Sequence, residues 1–174
     1  DFSSDESLVS GLIVAFSNET DDYQFERTVP FSTDFVVVNA DQVSSKGFEG
    51  KLVLNLAEGV FFDFQAGITD AEFDTHRDSL GVNVAGNSVP FIPEYTLRSG
   101  IRFELEGGIY GSTSYTALGK TYYDEQNQSA FSQSSFGVWD VQIGYRRDGF
   151  SVAVYGRNLT DENYYQFMNP EIQA

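Results

Sequence analysis

A chain of 174 residues with 41% apolar content is long enough for one domain with a substantial core. No run of about 18 apolar residues offers a membrane helix, and the formal charge of −16, from 26 acidic and 10 basic residues, leaves no basic surface for nucleic acid. The absence of cysteine removes disulfides, thiolate metal sites and cysteine nucleophiles.

The N-terminal DFSSDESLVSG has no basic or apolar signal-peptide region and reads as a processed or truncated start. Beyond it, sixteen Phe, ten Tyr and sixteen Gly point to strands. A first strand is expected over residues 8–26, although LIVAF is apolar on both faces and leaves its phase open. Within 49–56, Leu52, Leu54 and Leu56 oppose Lys51, Val53 and Asn55. Over 60–68, Val60, Phe62, Phe64, Ala66 and Ile68 oppose Phe61, Asp63, Gln65 and Gly67. The contrast is sharp over 95–105, where Leu97, Ile101, Phe103 and Leu105 oppose Arg98, Gly100, Arg102 and Glu104. Residues 109–121 alternate weakly. Over 136–146, Trp139, Val141, Ile143 and Tyr145 share a face, and over 150–158 Phe150, Val152 and Val154 do.

Three connections are tight and carry the Gly that a hairpin favours: Ala57-Glu-Gly59, Glu106-Gly-Gly108 and Arg147-Asp-Gly149. The others, about 75–94, 122–134 and the segment after Asn158, are long and polar. Short and long connections therefore fall at opposite ends of an antiparallel up-and-down meander. That is the layout of an outer-membrane barrel, with short periplasmic turns and long extracellular loops. The strands also exceed the usual about 5–6 residues of a soluble sheet. Tyr95, Tyr122, Tyr123, Trp139, Tyr145, Tyr164 and Tyr165 lie near predicted strand ends, as interfacial aromatic girdles do.

Four ordered segments carry a resemblance. Phe35-Val-Val-Val-Asn-Ala40 with Ser45-Lys-Gly-Phe-Glu-Gly-Lys-Leu52 resembles a "VNA…G-x-E-x-E-L" strand, and Gly67-Ile-Thr-Asp-Ala-Glu-Phe73 a "GYTDAEY" strand end. Val89-Pro-Phe-Ile-Pro-Glu-Tyr-Thr96 resembles "LPxxPxxT", and Val154-Tyr-Gly-Arg-Asn-Leu-Thr-Asp-Glu-Asn-Tyr-Tyr165 the near-terminal "NLxDxxYY" signature. Together, over about residues 22–165, they resemble the C-terminal part of TonB-dependent outer-membrane receptors. The resemblance implies an all-β fold, about seven long strands of a barrel of about 22. It implies import of a scarce ligand (ferric siderophore, cobalamin or glycan) powered through the TonB complex, and location in the bacterial outer membrane. The implied partners are the remainder of the barrel, its plug domain, the TonB complex and outer-membrane lipid; no cofactor and no enzyme activity is implied. The whole chain, 1–174, is expected to be one such segment, without plug, TonB box or final strand. After Leu159 the last extracellular loop is expected to begin, and a closing strand is expected to follow.

The densest polar cluster is Thr69-Asp-Ala-Glu-Phe-Asp-Thr-His-Arg-Asp78. Asp70, Glu72 and Asp74 share a strand face with His76 after them, residue types that bind divalent cations. Strand spacing sets alternate carboxylates about 6.6–7 Å apart, too wide for one small ion, so a solvated strand end above the membrane is expected and no metal site is assigned. The lipid-facing phase of 60–68 turns acidic at Asp70, through either a bulge or exit from the bilayer; exit needs no further assumption. With one histidine, His76, no Ser-His-Asp arrangement can be built. The sequons at Asn18, Asn127 and Asn158 are incidental in an outer-membrane protein. Ligand contacts are expected in loops 75–94 and 122–134, where Tyr122, Tyr123 and Asn127 are candidates; none is assigned. Two other architectures fit the alternation. One is a secreted soluble β-sandwich that binds glycans. The other is a small self-contained barrel that takes an eighth strand from residues 29–40.

Overall fold

The structure, a computed structural model, describes residues 8–28 and 34–168. Nine strands follow in chain order: β1 (Val9–Thr28), β2 (Phe35–Ala57), β3 (Val60–Thr75), β4 (Tyr95–Glu104), β5 (Ile109–Leu118), β6 (Thr121–Tyr122), β7 (Ser132–Gln133), β8 (Phe136–Arg147) and β9 (Phe150–Gly156). Seven form one antiparallel sheet in the order β1-β2-β3-β4-β5-β8-β9. The meander read from the alternation is what forms. Among the described residues no second large sheet faces it, so the architecture is not a sandwich. Nor does 29–40 add an eighth strand to the sheet. Residues 35–40 open β2, and residues 29–33 lie outside the described residues, as do 1–7 and 169–174.

The largest departure from the sequence pattern is the length of β2, 23 residues where only 49–56 alternates clearly. Its outer half is strand because β1 pairs along it and β3 joins on the other side from Gln42 inward. β1 pairs with it from Val9–Leu54 out to Thr28–Phe35, and β3 from Val60–Ala57 out to Thr75–Gln42. A shorter surprise is the β6–β7 hairpin, with a single 3-10 turn at Ser129–Phe131, inside the β5–β8 connection.

The register builds two contrasting faces. Two rows of cross-strand neighbours on one face read Val9, Leu54, Phe62, Ile101, Thr113, Val141, Gly156 and Gly11, Leu52, Phe64, Ser99, Tyr115, Trp139. On the other face, rows read Leu12, Lys51, Gln65, Arg98, Thr116, Val138 and Asn55, Phe61, Arg102, Ser112, Gln142, Tyr155. On the apolar face Ile13, Phe48, Ile68 and Val154 are 60–83% exposed, with no protein packed over them. Leaving such area in water costs about 25 cal/mol per Å², so the face is stable against lipid. Four of the chain's ten basic residues (Lys51, Arg98, Arg102 and Arg146) lie on the polar face by register, and Arg157, just past β9, sits over the ring of Tyr155 at 5.4 Å. Arg102 and Arg146 there sit over the rings of Phe61 and Tyr110, at 4.6 and 4.8 Å.

The three tight turns fall at one end of the sheet. Asp148 and Gly149 both take positive φ, 38° and 82°, as a two-residue hairpin loop demands. Gly59 has φ 71°, and a Cβ there would stand 2.1 Å from the Glu104 carbonyl oxygen.

Burial gathers at the opposite end. There β1, β2 and β3 outrun β4, whose pairing with β3 stops at Ile68–Tyr95. Ala40, Val43, Ala71, Phe73, Val84 and Val89 form a buried cluster, with Tyr23, Phe25 and Ile92 against it. Two irregularities aim side chains into it. Asp22 (φ 54°) and Asp41 drop out of the β1–β2 pairing, and beyond them odd-numbered β1 residues (Tyr23, Phe25, Arg27) turn inward. On β3 a register shift falls opposite Gln42–Val43, where Asp74 is the extra residue.

Candidate functional site

The rim at this end is built from two long connections, residues 76–94 and 119–135. The first lies along the edge of β3 that β4 leaves open. Val89 N–H donates to Ala71 O (2.9 Å), Phe73 N–H to Asn87 O (3.0 Å) and Gly86 N–H to Phe73 O (2.8 Å). The second connection is bonded to the first. Phe91 N–H donates to Tyr122 O (2.8 Å) and Glu94 N–H to Lys120 O (3.1 Å). Asn127, at φ 54°, accepts from Ser88 N–H at Oδ1 (2.7 Å) and donates from Nδ2 to Ser88 O (3.0 Å). Asn87 Nδ2 donates to Glu125 O (2.8 Å). Asn127, a candidate ligand contact in the sequence, thus spends its amide on bracing the two loops.

The acidic ladder separates. Asp70 is exposed and faces Lys46 Nζ at 3.1 Å, and exposed Asp74 accepts from Ser44 Oγ at 2.9 Å. The pairing of β2 with β3 is continuous through Asp70 and Glu72, so the acids keep the lipid-facing phase and no bulge explains them. The shift at Asp74 comes later and turns His76 to the other side. His76 is buried, its ring 4.8 Å from Phe73 and 5.5 Å from Phe25. Among the described residues no group of three or more His, Asp or Glu side chains is arranged to hold a metal ion.

His76 instead meets two residues far away in sequence. Its Nε2 lies 2.8 Å from Glu125 Oε2, and Arg27 donates to the same carboxylate twice, from Nε to Oε1 and from Nη2 to Oε2 (2.8 Å). Glu125 is only 6% exposed, so its carboxyl group finds its partners in these side chains rather than in water. Two further buried acids flank it. Burial pushes the Asp124 carboxyl above its ordinary range, against the N–H and side-chain donors of Gln128. Burial pushes Asp78 the same way, but the Gln126 amide, the N–H groups of Val82 and Leu80 and the field of Arg27 outweigh it, and Asp78 stays below its ordinary range. Sequence reasoning missed Arg27, Asp124 and Glu125, and it singled out Asp78 only as the end of the polar cluster. The only hint was Asp124-Glu125, an acidic pair in a connection whose next residues, 126–139, carry no charge.

On the polar side of the sheet a cleft of about 460 Å³ opens beneath the loops, lined by Phe91, Tyr123, Phe136, Tyr164, Thr116 and Asp140 among others. Tyr164 stacks on Phe136 at 4.3 Å and 11°, and Phe167 on Phe91 at 6.0 Å and 4°. Buried Tyr123 donates its hydroxyl to Tyr165 O (2.7 Å), whereas half-buried Tyr122 packs under Lys120. The NLTDENYY signature shapes this wall. Asn158, at φ 51°, donates its backbone N–H to Asp140 Oδ1 (2.9 Å) and joins Glu162 by Oδ1 and Nδ2, each at 3.0 Å. The chain therefore leaves the sheet after Gly156, slightly before Leu159, and a polar turn carries the tyrosines over the inner face.

The sequence pattern of the family described as "TonB dependent receptor-like, beta-barrel" matches residues 5–159. The chain belongs to that family. Solved receptors share its fold. The ferric yersiniabactin uptake receptor FyuA from Yersinia pestis superposes with a TM-score of 0.74 at 24% identity, over 91% of this chain and 23% of that one. The siderophore receptor PiuA from Acinetobacter baumannii gives 0.70 at 16% identity, over 91% and 23%. The copper transporter OprC gives 0.64 at 15% identity, over 91% and 24%. The chain thus spans about a quarter of the length of these structures. Seven strands of this TonB-dependent receptor barrel wall make an open sheet, with the apolar face toward outer-membrane lipid and the polar face toward the lumen. The tight turns lie at one end of this wall and the 76–94 and 119–135 loops at the other. Family members are outer-membrane transporters of Gram-negative bacteria and not enzymes.

Proposed function

We propose that residues 1–174 are the C-terminal part of a receptor barrel that imports a scarce chelate or nutrient, a ferric siderophore first among ferric siderophore, cobalamin and glycan. The observation that carries the reading is the aromatic cleft on the lumen face, directly under the extracellular loops. Stacked rings with a few polar groups suit a rigid, partly aromatic ligand. In this reading the plug, the TonB box and a closing strand belong to the rest of the receptor. The plug packs against the polar face, and TonB pulls on it from the periplasm. Siderophore receptors among the structures of like fold support the ligand class.

The test is uptake by cells that carry or lack the complete receptor, using labelled ferric siderophores, cobalamin and glycans, with and without collapse of the proton-motive force. Receptor-dependent, energy-dependent uptake of one class is expected, and Tyr164→Ala should weaken binding of that ligand about tenfold. Uptake of every class that is indifferent to the receptor overturns the reading.

A further inference from the structure

The two extracellular connections are one body. Five hydrogen bonds, involving Asn87, Ser88, Phe91, Glu94 and Asn127, tie 76–94 to 119–135. The 119–135 connection has its roots in β5 and β8, three strands or more away from β1. Yet it reaches β1, because Arg27 near the tip of that strand takes the Glu125 carboxylate bidentately across 98 residues of sequence. His76, at the root of the other connection, completes the carboxylate shell and stands 3.4 Å from Arg27 Nη2.

We propose that Arg27–Glu125–His76 is a latch that fastens this two-loop body to the β1 tip, so that the loops open and close over the lumen as one lid. Three features support it. Glu125 is buried at the meeting point of three segments, so releasing it exposes all three together. The apolar contacts of Tyr23 and Phe25 on β1 are with the core cluster, whose loop members, Val84 and Val89, come from 76–94 and not from Glu125's own loop. Finally, a carboxylate gripped by a guanidinium fork has a narrow geometry, since both N–H bonds are lost within a small rotation. A latch of this kind is either engaged or released. The neighbouring charges do not substitute for it, because Asp78 is occupied by Leu80, Val82 and Gln126 and Asp124 by Gln128. The role as a lid over the ligand path rests on the import reading, whereas the coupling rests on geometry alone. It is therefore read without ligand, so the two fail separately.

The test is hydrogen exchange on the complete receptor in native outer membranes or detergent, comparing wild type with Glu125→Gln, Arg27→Met and Arg27→Lys. Both Glu125→Gln and Arg27→Met are expected to raise exchange about tenfold or more. The rise should appear together at Val84, Val89, Phe91 and Tyr123, on both loops, while amides of β4 and β5 stay as in wild type. Arg27→Lys keeps the charge without the fork and should give an intermediate rise, and it serves as the readout if a neutral variant does not assemble. Faster exchange confined to 119–135, with 84–91 unchanged, overturns the coupling. So does wild-type exchange on both loops in the Arg27 variants.

Discussion

Asp78 and Asp124 are both buried, both hydrogen bonded, and opposite in sign. Asp78 is held below its ordinary range, so its contribution to rim stability is present above the unfolded carboxylate range and is lost as pH falls through its lowered value. Asp124 is pushed up by burial, so its ionised form burdens the folded rim at neutral pH and the burden eases as pH falls toward the ordinary range. Asp78→Asn should therefore loosen the 76–94 loop at neutral pH by about 1–2 kcal/mol, an effect that shrinks on acidification. Asp124→Asn, whose amide oxygen can still accept from Gln128, should leave loop stability unchanged or raised. Exchange rates of the two loops at neutral and acid pH check both signs. Asp124 did not announce itself in the sequence and Asp78 stood there only as the end of a polar cluster, because each draws its partners from a loop whose fold follows from packing rather than periodicity.

The strands follow from alternation wherever one face meets lipid and the other the lumen. The boundaries that slipped are instructive. β2 begins at Phe35, far ahead of its clean pattern, because β1 pairs along it out to Thr28–Phe35; over the Ser-, Lys- and Gly-rich stretch at 44–47 β3 pairs on the other flank as well. His76, which follows the face shared by Asp70, Glu72 and Asp74, is turned to the opposite side by a single extra residue in β3. The turns were more legible, since a two-residue hairpin has few backbone solutions. Gly59→Ala should be costly in a way its conservative look conceals. The new Cβ meets the Glu104 carbonyl at 2.1 Å, and φ 71° is itself unfavourable for alanine. A loss of about 1–3 kcal/mol is expected, read as a lower unfolding midpoint of the receptor in detergent. Gly81→Ala, also at positive φ but with open space around it, should cost less.

The sheet as a whole is open. Among the described residues β1 and β9 each have a free edge, and lipid does not satisfy a row of unpaired backbone groups. The 174-residue chain expressed without other receptor segments is thus expected to associate through those edges or to remain unfolded. Co-expression with the remaining barrel strands should restore a detergent-soluble species whose mobility changes on heating. A monodisperse, folded monomer of this chain would count against the open wall. The same topology explains where order concentrates. Over the lipid-facing span the protein buries little of itself, and among the described residues its hydrophobic cluster forms where three long strands rise past β4 and the 76–94 loop folds down onto them.

Much was written into the chain as local pattern: the two faces, the tight turns, the direction of the meander, and the family signatures from VNA to NLTDENYY. Those features depend on residues one or two positions apart, or on a few fixed dihedral angles, and a linear reading has access to both. The rim was another matter. Arg27, His76 and Glu125 meet because the sheet sets β1, β3 and the β5–β8 loop at one end, and because irregularities at Asp22, Asp41 and Asp74 turn side chains inward. A hydrogen bond across 98 residues leaves no periodic trace, so the latch became visible only once the strands were laid side by side.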